Sequence, residues 1–278
     1  MARTPHPRRG RRFRVMSFST LIPNFITVLA LCSGLTGIRF ALQERWEFAV
    51  GAIAVAAVLD TLDGRMARLL KGQSKFGAEL DSFADFISFG VSPAIVIYLW
   101  STEEVGGLGW MGVLFFATCM ALRLARFNTK LDDGDPPPFA ARFFTGVPAP
   151  AAAGLVCLPV IVSFEVDPDL VSQPHLVVIW MVIVGLLMVS FIPTFSFKGV
   201  KLPQKFVVPI LVMAGFVIAG FLSAPWMTLG GIIFVYMVTI PFSYRSHRRL
   251  SAMHETQKAS EKVLRKGTPN TEAEGPTD

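Results

Sequence analysis

Between residues 18 and 243 the chain alternates long apolar stretches with short polar linkers. Eight stretches stand out, over about 18–41, 46–69, 82–101, 108–127, 146–164, 175–194, 206–223 and 226–243. Each reaches or approaches the roughly 20 residues that a helix needs to cross a hydrocarbon core of about 30 Å. The pattern predicts an all-α fold, a polytopic membrane bundle of about eight transmembrane helices spanning 18–243. Two flanking segments complete the expected organisation. Residues 1–17 are basic, and residues 244–278 form a tail of mixed charge with Ser, Thr, Gly and Pro that frays into disorder. No internal repeat is evident, so an inverted-repeat transporter finds no support.

Composition sharpens this picture. Hydrophobic residues make up 52% of the chain and charged residues 17%, with a mean hydropathy of +0.52. A soluble domain carries about 25% charged residues. Disordered, collagen-like and disulfide-stapled classes are excluded. Cys32, Cys119 and Cys157 all lie within apolar stretches and read as small core residues. His6, His175, His247 and His254 are scattered, so any metal must be held by carboxylates, which favours a hard ion such as Mg²⁺ or Mn²⁺.

The charges also orient the chain. Arg3, Arg8, Arg9, Arg11, Arg12 and Arg14 lie in a segment without acids and equal in number the net charge of +6. Next to a membrane span such a run reads as an anchor on anionic headgroups rather than a nucleic-acid arm, and no nucleic-acid partner is expected. The linkers after the second, fourth and sixth stretches carry Arg68, Lys71 and Lys75, then Lys130 and Arg142, then Lys198, Lys201 and Lys205. Those after the third and fifth carry Glu103 and Glu104, then Glu165, Asp167 and Asp169, without Lys or Arg. The positive-inside bias places both termini and the basic linkers in the cytoplasm. Arg45, in the first link, breaks the pattern.

Ionisable residues within spans are costly and mark function by default. The second stretch ends on Asp60, Asp63, Gly64, Ala67 and Arg68, and the third opens on Gly77, Asp81 and Asp85. At about 100° per residue, Asp60, Asp63, Gly64 and Ala67 share one helical stripe, while Gly77, Asp81 and Asp85 climb one face of the next helix. A linker of about ten residues makes the two helices antiparallel neighbours, so four carboxylates can converge near the cytoplasmic surface. Like charges so placed need compensation, and two divalent cations about 3.5–4 Å apart, as used for displacement at phosphorus, would supply it. Gly64, Ala67 and Gly77 lack bulk on the same faces, leaving room for a nucleotide or pyrophosphate. Arg68 would reach a phosphate oxygen. The competing reading, a surface acidic cap paired with Arg65, Arg68, Lys71 and Lys75, does not explain the interleaved small residues.

The arrangement Asp60-x2-Asp63-Gly64-x2-Ala67-Arg68-x8-Gly77-x3-Asp81-x3-Asp85 resembles the complete motif of the CDP-alcohol phosphotransferase family. Eight specified positions at fixed spacing make it far more specific than a lone glycine fingerprint. The resemblance implies a membrane helical bundle, a homodimer, two divalent ions (Mg²⁺ or Mn²⁺) and a CDP-linked donor. It implies that Asp60, Asp63 and Asp81 bind metal, and that Asp85 is the general base while also touching a metal. Gly64, Arg68 and the Ser74 hydroxyl are then expected to contact the CDP portion.

Three further stretches bear on the acceptor: Leu21–Thr27, Arg123–Asn128 and Phe144–Pro150, together with Phe195–Lys198. They resemble the membrane-embedded bacterial phosphatidylserine synthases over roughly 18–243. Pro23 suits a first helical turn, and Asn24 and Thr27 would face the CDP site from one turn. Arg123 and Arg126, three positions apart, could both point into the bundle, and these or Lys198 could hold a serine carboxylate. The expectation is an enzyme of a bacterial inner membrane that moves a phosphatidyl group from CDP-diacylglycerol to L-serine and releases CMP, amid membrane lipids. Glycerol 3-phosphate, inositol phosphate or choline as acceptor would use the same site. A divalent-cation transporter is the reading from another class, but it favours acids near the midplane rather than at one end.

Overall fold

The computed structural model describes residues 18–72, 74–132, 143–190, 193–195 and 206–240. The basic segment 1–17, the tail 244–278, Arg142 and Lys198 lie outside the described residues. The helices are α1 (Phe18–Ala41), α2 (Trp46–Leu69), α3 (Lys75–Asp85), α4 (Ser92–Trp100) and α5 (Gly107–Asp132), then α6 (Ala149–Val162), α7 (Pro168–Val171), α8 (Pro174–Val189), α9 (Val207–Ser223) and α10 (Pro225–Ile240). A π-helical turn, Phe86–Val91, fuses α3 to α4, so each of the eight apolar stretches corresponds to one continuous helical segment.

Among the described residues, three segments, Ser19–Ala41, Lys75–Trp100 and Gly107–Thr129, are long and apolar enough to cross a membrane. Four others are apolar but shorter: Ala149–Val162, Pro174–Val189, Val207–Ser223 and Pro225–Ile240. Helix α2 is 24 residues long, but Asp60, Asp63, Arg65 and Arg68 in its C-terminal half interrupt its apolar run.

Several boundaries differ from the sequence expectation. The third helical segment begins at Lys75, seven residues before the apolar stretch at 82, because Ser74 caps it by accepting the Gly77 N–H at 3.0 Å. Hydropathy detects hydrocarbon-compatible residues, and the first turns of α3 are polar. Pro23 lies inside α1 rather than in its first turn, since the helix begins at Phe18. Lacking an N–H, Pro23 leaves the Ser19 carbonyl without its helical donor. The backbone at Gly72 lies against that carbonyl so closely that no Cβ would fit there. Helix α8 stops at Val189, not 194, and Pro193–Phe195 pairs antiparallel with Phe143–Thr145 in the register Phe144↔Thr194. This short ladder is the one strand pairing among the described residues.

The core lies between α4, α5, α6 and α8, where Phe89, Ile97, Phe116, Met120, Leu155, Ile161, Met181 and Met188 are fully buried. Small residues let backbones approach, as usual between membrane helices. A Cβ on Gly90 would lie 2.8 Å from Met120 Cγ, and one on Gly185 would lie 2.9 Å from Phe115 Cε1. Helix α1 is tied to the π turn and α4 by two hydroxyls four residues apart. Ser88 Oγ donates to the Ala30 carbonyl at 3.2 Å and Ser92 Oγ to the Gly34 carbonyl at 2.7 Å. Arg45 sits over the Phe48 ring at 4.1 Å and near Phe40 at 5.3 Å, so two aromatic faces hold the cation that breaks the charge pattern. Helix α9 has no buried residue, and its surface is almost entirely apolar, as hydrocarbon contact requires.

Candidate active site

The site forms where the end of α2 meets the start of α3, beside the first turns of α1. Asp60, Asp63 and Asp81 each offer a carboxylate oxygen, and these oxygens lie within 4.8 Å of one another. Asp63 is buried, while Asp60 and Asp81 are partly exposed. Asp85, one turn beyond Asp81, lies within side-chain hydrogen-bonding reach of Asp60. The helical stripes predicted from spacing thus bring Asp60, Asp63 and Asp81 together, with Asp85 beside Asp60. The donor set is oxygen throughout, which fits hard divalent cations better than a soft metal.

Next to the cluster opens a cavity of about 450 Å³, a volume usual for a small-molecule site. Its walls include Asn24 and Thr27 from α1, Asp63, Gly64 and Ala67 from α2, and Ser74, Gly77 and Asp81 from the following cap and helix. Gly64 faces open space: a Cβ there would meet only Arg68 Nη1, at 3.8 Å. Arg68 therefore lies over Gly64, one turn on, although it does not line the cavity wall. A Cβ on Gly77 would come within 2.8 Å of Asn24 Oδ1, so this glycine lets α1 close on α3. Asn24 Nδ2 is buried beside the cavity without a hydrogen-bond partner among the described residues. A buried amide donor left so is satisfied by a ligand acceptor or costs about 1–3 kcal/mol. Ser74 Oγ accepts the Gly77 N–H, which leaves its own hydrogen to donate.

Thr27 is buried, and its Oγ1 lies 2.6 Å from Asp63 Oδ2 and 3.1 Å from the Pro23 carbonyl. Arg123 Nε donates to the Val147 carbonyl at 2.6 Å. Its charge acts on Asp85, and its Nη atoms have no hydrogen-bond partner among the described residues. Arg126 is placed differently. Its Nη1 donates to the Val189 carbonyl at 2.8 Å, and its Nη2 lies 3.4 and 3.3 Å from those of Met188 and Ser190. These are the last carbonyls of α8, which lack helical donors. A further tie joins α3 to α5, from Asn128 Nδ2 to Ser82 Oγ at 3.0 Å.

Sequence reasoning missed Gly72, Lys75 and Ala78, which also line the cavity. Ala78 follows Gly77 on α3, and only the observed start of the helix at Lys75 puts it on the wall. The role of the Val147 carbonyl was equally hidden, because a backbone acceptor leaves no mark in side-chain chemistry.

The profile of the CDP-alcohol phosphatidyltransferase family matches residues 20–187, more than half of the chain. The chain belongs to the CDP-alcohol phosphatidyltransferase family. A second profile, CDP-alcohol phosphatidyltransferase 2, matches residues 205–241. A protein of Mycobacterium tuberculosis named CDP-diacylglycerol–serine O-phosphatidyltransferase is 38% identical over 247 residues, covering 89% of this chain and 84% of its own length. A Mycobacterium leprae protein of the same name is 36% identical over 279 residues, 97% of this chain and 91% of its own. One from Helicobacter pylori is 35% identical over 210 residues, 76% of this chain and 86% of its own. As a CDP-alcohol phosphatidyltransferase the chain is an enzyme, a membrane transferase of phospholipid synthesis. Its complete aspartate motif lies inside the matched region.

Proposed function

We propose that this CDP-alcohol phosphatidyltransferase makes phosphatidylserine from CDP-diacylglycerol and L-serine, with CMP as the leaving group. The carrying observation is the cluster of the Asp60, Asp63 and Asp81 carboxylates beside a cavity lined by Asp63, Asp81, Gly64 and Ala67. The names of the mycobacterial and Helicobacter relatives support serine as acceptor. The chain sits in the membrane as about eight crossing helices, as a homodimer, with both termini and the site on the cytoplasmic side. That orientation follows from the basic linkers and from Arg68, Lys71 and Lys75 beside the site.

In this reading Asp60, Asp63, Asp81 and Asp85 hold two Mg²⁺ or Mn²⁺ ions. When bound, the ions neutralise charge building on the phosphoryl oxygens and on the departing CMP. The nucleotide occupies the cavity, with Asn24 Nδ2, the Ser74 hydroxyl and Arg68 as donors and Gly64 and Ala67 admitting it close to the backbone, while Gly77, covered by Asn24, lets α1 close on α3. Thr27 stands on the same wall. The serine hydroxyl is a poor nucleophile at neutral pH, and Asp85 takes its proton as it attacks the phosphorus that bears the lipid. Arg123, held at Nε by Val147 and near enough to Asp85 for its charge to act there, is the cation that grips the serine carboxylate. Arg126 supports that end of the pocket by fastening the end of α8 and contributes charge to the acceptor region. Lys198 is a further cation for the carboxylate.

An acceptor panel tests this reading. Purified protein is given CDP-diacylglycerol, Mn²⁺ and one alcohol at a time. Serine should give the highest rate of CMP release. A higher rate with glycerol 3-phosphate, inositol phosphate or choline would overturn the serine assignment.

A further inference from the structure

Among the four motif helix turns, Asp63 is the carboxylate shielded from solvent, at 4% exposure, and its hydrogen-bonding neighbour Thr27 is equally buried at 4%. Thr27 belongs to a different helix, 36 positions earlier in the chain. The 2.6 Å separation from Oγ1 to Asp63 Oδ2 is that of a charge-assisted O–H···O⁻ hydrogen bond. The Thr27 hydroxyl has one hydrogen and two acceptors in reach, and the shorter contact is to Asp63 rather than to the Pro23 carbonyl at 3.1 Å. The height of Thr27 against α2 and α3 is fixed from outside the site. One turn further along α1, the Ala30 carbonyl accepts from Ser88, and a turn beyond that the Gly34 carbonyl accepts from Ser92. Both serines lie just past Asp85 on the same continuous helical segment. The hydroxyl ladder thus registers α1 against the segment that carries Asp81 and Asp85, and Thr27 transmits that register to Asp63.

We propose that Thr27 is a positioning residue for the metal site: its hydroxyl fixes one oxygen of Asp63, so that the other oxygen is held toward Asp60 and Asp81. This inference rests on the proposed reading of the four aspartates as cation ligands and adds a role for Thr27 distinct from nucleotide contact. Partners that orient ligands in this way typically carry about 10–100-fold in metal affinity. Valine has the shape of threonine without the hydroxyl, and serine keeps the hydroxyl without the methyl group. The two substitutions therefore separate orientation from packing.

The test uses the full-length protein in detergent. Mn²⁺ affinity is measured by calorimetry and by the electron paramagnetic resonance signal of free Mn²⁺, for wild type, Thr27→Val and Thr27→Ser. KM for CDP-diacylglycerol is then measured at saturating Mn²⁺. Thr27→Val should bind Mn²⁺ at least tenfold more weakly, and Thr27→Ser should stay within about threefold of wild type. Wild-type affinity in Thr27→Val would overturn the inference alone, as would a raised KM without loss of Mn²⁺ affinity, which would make Thr27 a donor contact. Wild-type protein that binds no Mn²⁺ would overturn the metal reading, and this inference with it. If Thr27→Val does not fold, Thr27→Ala carries the same expectation, and a melting temperature in chelator equal to wild type certifies either variant.

Discussion

Small residues serve opposite purposes at the two ends of this bundle. In the core, Gly90 and Gly185 are covered, with Met120 and Phe115 within 3 Å of where a Cβ would stand. At the site, Gly64 is bare, with only the tip of Arg68 in reach, and Ala67 lines the same open cavity. The first kind of glycine lets helices touch, and the second keeps a volume clear for something that is not protein. The carboxylates divide likewise. Membrane interiors tolerate charge only where it is paired or functional, and here Asp60, Asp63 and Asp81 cluster with Asp85 beside them, where the charge of Arg123 acts on Asp85.

Substitutions at matched positions can break or sharpen this contrast. The largest effect is expected at the carboxylates. Asp81→Asn should abolish turnover, because it removes an anionic ligand from a site built on charge neutralisation, while the melting temperature in chelator should not fall. Asp85→Asn should lower turnover by at least about 10²–10⁴-fold, the range for a positioned base, and leave CDP-diacylglycerol binding largely intact. Next come the glycines. Gly64→Leu should raise KM for CDP-diacylglycerol with little change in stability, whereas Gly90→Leu should destabilise by about 1–3 kcal/mol through overpacking against Met120. Equal loss of stability in both would erase the distinction.

The two arginines give a smaller and finer contrast. Arg123→Ala should raise KM for serine more than KM for CDP-diacylglycerol. Arg126→Ala should cost about 2 kcal/mol, seen as a lower melting temperature, because it strips charged donors from the last carbonyls of α8. The smallest effect is expected at Arg45→Ala, about 0.5–1 kcal/mol for the lost contact with Phe48 and Phe40.

Much of this was legible in the sequence, for reasons that differ by residue. Helical periodicity alone put Asp60 and Asp63 on one stripe and Asp81 and Asp85 on another, because both segments are regular helix with a short connection. The eight apolar stretches marked eight helical segments for the same reason. What stayed hidden depends on backbone. Pro23 reads as a helix start by its chemistry, but Phe18–Ile22 already form helix before it, and the Ser19 carbonyl lies against Gly72. The π turn at Phe86–Val91 has no residue signature, although it sets how Ser88 and Ser92 meet α1. Spacing made Arg123 and Arg126 equivalent. Only the carbonyls around them show that one keeps donors available and the other fastens a helix end.

Isotope-labelled serine tests metal-dependent phosphatidyl transfer most directly. Purified protein is incubated with CDP-diacylglycerol and labelled serine over a Mn²⁺ titration, and labelled lipid and CMP are both counted. Labelled phosphatidylserine should form in equal amount to CMP, vanish in excess chelator, and return with Mn²⁺ or Mg²⁺. Undiminished transfer in chelator, or CMP released without label entering lipid, would contradict it.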